Sequence, residues 1–187
     1  ITKITVNSLS ATKDITLNAN VIETADLIAK NITMQGTTIK NAALIATENI
    51  FINKDSEVSE QTLNITGDVS SNNFEAVAKT QTFGGTISVT NAFISKGESL
   101  IFAKAVTVNQ DAQIQNTGLL KISDFVYGKS FVQDGIGQVM ISGSFEQSGE
   151  SEKPTAFGSN VYFYNSSQNS SPITIGRDKS SITINGN

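Results

Sequence analysis

The chain has 187 residues, of which 38% are hydrophobic and 16% are charged, and its formal net charge is −4. This balance supplies no basic field for a nucleic acid or an anionic membrane, and Arg177 is the single arginine. Because the sequence contains no histidine and no cysteine, it excludes disulfides, Ser-His-Asp triads, Cys-His pairs and the usual zinc sites.

The residue types favour β structure. Ile (22) and Val (12) outnumber Leu (8), and β-branched side chains favour strands through their restricted χ1. Ser, Thr and Asn together contribute 60 residues, so the predicted surface is built from short, uncharged polar groups.

The first part of the chain contains a repeat. Segments 11–18, 29–35 and 46–53 each have a small residue, a polar turn that ends in Asp or Asn, and an alternating strand. A period of this length is typical of a stacked coil. We predict a right-handed parallel β-helix (β-solenoid) with about 17–20 residues per coil and roughly ten coils. The repeated isoleucines, 17 and 18 residues apart, are Ile15, Ile32 and Ile50.

Apolar and polar residues alternate with period two within each repeat, so one edge of every strand is predicted to point inward. Segment 100–109 matches segment 27–35 by the same pattern and extends the prediction to later coils. Like residues in neighbouring coils then stack in a dry core. The predicted core stack is Ile15, Leu17, Ile32, Met34, Ile50, Ile52, Val106 and Val108.

Some segments depart from this period. Residues 20–30 are also compatible with an amphipathic helical turn, although their β-branched neighbours oppose it. Residues 54–60 and 68–80 lose the period and are predicted to form longer excursions. We expect regular coils over 1–120 and a continued but less regular solenoid over 121–187, with a loop near 143–160.

Aromatic residues concentrate late in the chain, where residues 125–164 hold eight of the thirteen. They are ordinary core material, and wider coils need larger side chains. The alternative is a cap or a binding surface, for which Tyr127, Tyr162 and Tyr164 are the candidates because tyrosines are common binding anchors. In a strand over 161–164, Tyr162 and Tyr164 would share one face.

Three carboxylates, Asp111, Asp124 and Asp134, fall near repeating strand positions, but none belongs to a compact acidic motif. A glycosidase would need two carboxylates, with Glu146 also considered, within about 5–10 Å in one groove. We interpret them as solvated turn residues and predict no catalytic residue, no metal site and no cofactor. No apolar run approaches the roughly 18 residues of a membrane-spanning helix.

The pattern Leu-x-Ala-x-x-Asp-Ile-x-Leu over residues 9–17, echoed at 45–52, resembles the repeats of filamentous-haemagglutinin-type exoproteins. These include adhesins and the stalks of contact-dependent-inhibition proteins, and autotransporter passengers form similar coils. The likeness covers residues 4–58, returns at 100–116 and weakens after 120. It implies a right-handed β-helix on a Gram-negative bacterial surface, exported through an outer-membrane secretion partner or an autotransporter barrel.

We therefore expect a secreted or surface-exposed solenoid, part of an adhesin or exoprotein stalk. Its expected partner is a host-cell or bacterial surface receptor, either a glycan or a protein. One alternative is a carbohydrate-active β-helix of the pectinase or tailspike-endoglycosidase kind. Another is a toxin passenger or self-assembling scaffold, whose uncapped strand edges would template further pairing.

Overall fold

The computed structural model describes residues 1–149, 155–163 and 182–184, and all regular structure within them is β. Eighteen strands are joined by parallel ladders. The strands are β1 (Lys3–Ser10), β2 (Asp14–Asn18), β3 (Val21–Gln35), β4 (Thr38–Asn41), β5 (Leu44–Ile52), β6 (Thr62–Ile65), β7 (Val69–Val77), β8 (Thr80–Phe83), β9 (Ile87–Gly97), β10 (Ser99–Val108), β11 (Asp111–Asn116), β12 (Leu119–Tyr127), β13 (Ser130–Asp134), β14 (Gln138–Ile141), β15 (Phe145–Gln147), β16 (Thr155–Phe157), β17 (Val161–Phe163) and β18 (Ile182–Ile184).

Three ladders run along the rod, and every turn contributes one short segment to each. The first ladder contains β4, β6, β8, β14, β17 and the opening segments of β1, β3, β10 and β12. The second contains β15 and segments of β1, β3, β5, β7, β9, β10 and β12. The third contains β2, β11, β13, β16, β18 and the closing segments of β3, β5, β7 and β9.

The predicted parallel β-solenoid is confirmed, with about eight turns of about 19 residues each. The count is lower than the roughly ten predicted because some turns are long. Thr38 pairs with Thr62, a step of 24 residues, whereas Lys3 pairs with Val21, a step of 18. The right-handed sense of the coil stays a prediction, supported by the usual hand of crossovers between parallel strands.

The repeated isoleucines lie in paired strands of successive turns. Ile15 pairs with Ile32 and Ile32 pairs with Ile50, so the 17- and 18-residue spacings are the register of the third ladder. Seven members of the predicted core stack are buried: Ile15, Ile32, Met34, Ile50, Ile52, Val106 and Val108. Leu17, in the first turn, is partly buried against the same core.

The core changes from aliphatic to aromatic along the rod. In the first three turns it consists mainly of Ile, Leu, Ala and Met, whereas from Phe74 onward phenylalanines fill the interior. Phe74 stacks on Phe93, with ring centroids 5.3 Å apart. The later rings form a contiguous cluster of Phe125, Tyr127, Phe131, Phe145 and Phe157. The aromatic concentration seen in the sequence is therefore mostly core material.

Two of the irregular segments differ from expectation. Residues 20–30 are extended and belong mostly to β3, because their apolar side chains alternate in and out. Residues 53–61 form no strand, which confirms the predicted excursion there. The loop predicted over 68–80 is wrong, since β7 occupies most of it. Its polar residues Ser71, Asn72 and Asn73 hid a strand that is held partly by side-chain hydrogen bonds.

An amide ladder supports the start of the third ladder. The amide of Asn31 donates to Asp14 at 2.7 Å, that of Asn49 donates to Asn31 at 2.7 Å, and that of Asn73 donates to Asn49 at 2.9 Å. Each bond runs along the rod axis and satisfies one turn with the next, as in asparagine ladders of stacked strands. The next residue in register is Ala92, whose methyl group ends the series.

Asn49→Ala is expected to destabilise the rod by roughly 1–2 kcal/mol, because it removes two side-chain hydrogen bonds and leaves Asn31 and Asn73 without those partners. Chemical denaturation followed by circular dichroism measures the change. Asn64→Ala is the control, since the Asn64 side chain makes no hydrogen bond within the described part of the chain. Equal stability losses in the two variants would contradict a role for the ladder.

Candidate functional site

Tyr127 lies in the core and not on a surface where a partner could reach it. Its side chain is completely buried, and its hydroxyl is hydrogen-bonded to the hydroxyl of Thr155. Burial raises the pKa of the Tyr127 phenol, so it remains neutral. The ring lies 5.4 Å from that of Phe145. The binding role proposed for Tyr127 from the sequence therefore gives way to a packing role.

Tyr162 lies on the outer face of the first ladder, with 49% of its surface exposed. It pairs in register with Met140, which pairs with Lys121, which pairs with Ile101. These four side chains form an outward row, here called the Tyr162 row, across four successive turns. Tyr164 lies outside the described residues.

A shallow groove of about 370 Å³ runs beside the Tyr162 row, at the corner between the first and second ladders. Ile101, Lys121 and Met140 line one side, and the small residues Ala103 and Ser123 line the corner. Its surface is largely apolar. Lys121 makes no ion pair within the described ranges, so its ammonium is free to meet a ligand. We call this the apolar stretch.

The same corner forms a second groove of about 440 Å³ in the first turns, here called the polar stretch. Its lining includes Glu23, Lys40, Asn41 and Asn64. The Glu23 carboxylate lies 2.6 Å from Lys3 and 3.8 Å from Lys40. Hydrogen bonding and charge from Lys3 lower the pKa of Glu23, so this carboxylate is ionised at neutral pH.

The carboxylates considered for catalysis are engaged in structural contacts. Asp124 Oδ1 accepts hydrogen bonds from the backbone N–H of Ser144 at 2.8 Å and from its hydroxyl at 3.1 Å. Asp111 Oδ1 accepts a bond from the Ser130 hydroxyl at 2.6 Å. Both contacts join consecutive turns. Asp134 ends β13 and is exposed, and Glu146 lies in β15.

Within residues 1–149, 155–163 and 182–184, no cluster of three or more potential metal-ligating side chains occurs. No helix there is long and apolar enough to cross a membrane. Comparison of the chain with protein-family models, with curated proteins and with solved structures finds no match. The corner groove and the Tyr162 row are therefore interpreted from their own geometry.

Proposed function

We propose that the chain is a segment of a secreted or surface-exposed bacterial adhesin or exoprotein stalk, which presents a binding surface along a rigid rod. The observation that carries this proposal is the Tyr162 row. Ladders of Thr, Ser, Asn and Lys cover much of the rod and offer few anchors. An exposed tyrosine next to Met140 supplies apolar area with a polar hydroxyl.

The cellular context of the proposal rests on the resemblance to filamentous-haemagglutinin-type repeats. It includes a Gram-negative surface, an outer-membrane secretion partner, and a glycan or protein receptor on a host or bacterial cell. The low charged fraction and the absence of cysteine are compatible with such a location. We further propose binding without cleavage, since the chain lacks histidine and Asp124 is bonded to Ser144. Recovery of intact glycan after incubation checks this.

Tyr162→Ala is expected to weaken attachment to cells or to an arrayed glycan at least about tenfold, since exposed aromatic anchors contribute on the order of 1–2 kcal/mol or more. The melting temperature should stay nearly constant, because the side chain is half exposed. Phe51→Ala removes another partly exposed aromatic, on the third ladder, and serves as the control. Unchanged attachment by Tyr162→Ala, with cell binding by the parent chain intact, would refute the proposed site.

A further inference from the structure

The two stretches of the corner groove lie on one line. The outward residues of the first ladder pair in register from turn to turn, from Glu23 through Lys40 and Asn64 to Thr82 and Ile101. Ile101 then begins the Tyr162 row. Neighbouring turns lie roughly 4.8 Å apart, so the eight steps from Thr5 to Tyr162 cover about 38 Å. The line runs along the rod axis, across the strands.

Small side chains at the corner make this line concave. Two residues after the outward position, successive turns have Ala25, Ala42, Gly84, Ala103 and Ser123. Backbone hydrogen bonds stack these corners, since Ala42 donates to the carbonyl of Thr24 at 3.2 Å and Gly84 donates to that of Ile65 at 2.8 Å. Large side chains on the outward row beside small ones at the corner leave a trough between the first two ladders.

Asn41 gives the polar stretch an unsatisfied acceptor. Its side chain is only 3% exposed, and its amide nitrogen donates to the hydroxyl of Thr24. The amide oxygen has no hydrogen-bond partner within the described residues. A buried polar atom without a partner costs free energy, so a donor from outside the chain would be favoured there. Asn41 lines the groove, where a hydroxyl group could supply that donor.

The chemistry of the groove distinguishes between classes of polymer. An extended peptide binds a sheet by pairing with a free strand edge, but β6 beside the groove is already paired with both β4 and β8. A polyanion would meet the ionised Glu23. A neutral sugar chain carries hydroxyls that both donate and accept, together with apolar C–H faces. The polar stretch suits the hydroxyls, and Ile101, Met140 and Tyr162 suit the apolar faces.

We propose that the corner groove binds a neutral, extended glycan chain that lies along the rod axis and contacts both stretches. This inference rests on the proposed binding function, which concerns the Tyr162 row alone, and extends the site to Lys40, Asn41 and Asn64. Those residues hold hydroxyl groups of the chain, while Tyr162 packs against a sugar ring near the other end.

Calorimetric titration of the 187-residue chain with cello-oligosaccharides and chito-oligosaccharides, from disaccharide to hexasaccharide, tests the inference. We expect the affinity for one series to rise with chain length as the ligand spans more of the groove. Lys40→Ala combined with Asn64→Ala should weaken the longest oligosaccharide about tenfold through two lost hydrogen bonds. Lys13→Ala, an exposed lysine outside the groove, should leave its affinity unchanged. Melting temperatures identify any variant that has lost its fold.

The outcomes separate the two proposals. Failure of every oligosaccharide to bind, or affinity that does not depend on length, overturns the glycan chain. If Tyr162→Ala abolishes cell attachment while the Lys40→Ala and Asn64→Ala double variant binds as the parent chain does, the extended site is wrong and the adhesin function stands. If neither variant changes any binding, both proposals fail.

Discussion

Ile32→Asp is expected to unfold the solenoid or to lower its free energy of unfolding by at least about 4 kcal/mol. Ile32 is completely buried and lies between Ile15 and Ile50 in the third ladder. The substitution removes apolar volume and places a carboxylate in an interior that offers it no cation, which adds the cost of burying an unpaired charge. Thermal melting followed by circular dichroism measures the loss.

Thr33→Asp is the matched control, because Thr33 is the next residue of the same strand and points outward. Its side chain is partly exposed, so the new carboxylate remains hydrated and the change in stability should be small. If the two variants melted at the same temperature as the parent chain, the register of the third ladder would be refuted.

Phe131→Ala is expected to cost about 3–5 kcal/mol, as large-to-small substitutions of buried aromatics do. Phe131 is completely buried, and its ring centroid lies 4.8 Å from that of Phe145 and 5.1 Å from that of Phe125. It also contacts Phe157 at 5.2 Å, so the cavity would open between several rings that cannot all move inward. Urea denaturation gives the difference in unfolding free energy.

Phe51→Ala shows how much of that loss comes from burial. Phe51 lies on the outer face of the third ladder, where the ammonium of Lys54 is 4.1 Å from the ring centroid. Losing an exposed cation–π contact costs about 0.5–1 kcal/mol. A loss for Phe131→Ala no greater than this would mean that the aromatic cluster is not tightly packed.

The fold class could be predicted because stacking makes the sequence repeat itself. Ile15, Ile32 and Ile50 share a register, so their spacing reports the length of a turn directly. Alternation with period two then assigns the inward positions of each strand. The excursion at 53–61 was visible for the same reason, since it interrupts both signals.

The match between segments 100–109 and 27–35 is shifted by one ladder. Leu100 pairs with Gln81 in the first ladder, whereas Leu27 pairs with Leu44 in the second. All three ladders have short alternating strands, so a segment of one resembles a segment of the next. The register of the backbone hydrogen bonds resolves this ambiguity, and a single sequence does not. Val106 and Val108 are buried nonetheless, because inward positions alternate in every ladder.

The candidate site was only partly predictable for a related reason. Tyr127 and Tyr162 are the same residue type in the same aromatic segment, yet one is buried and the other is half exposed. Parity along each strand decides between them, and it depends on where each corner falls. Ile101 and Met140 gave no local signal, since they become neighbours of Tyr162 only through pairing across turns.

The nearly constant step between paired residues has a consequence for how such a chain folds. Each turn closes a loop of about 19 residues, roughly a tenth of the chain, whatever its position in the rod. Loop-closure entropy depends on that loop alone, so the relative contact order is low for an all-β protein. Adding a turn repeats the same entropic cost and the same nearest-neighbour gain. The rod can therefore lengthen without becoming harder to fold.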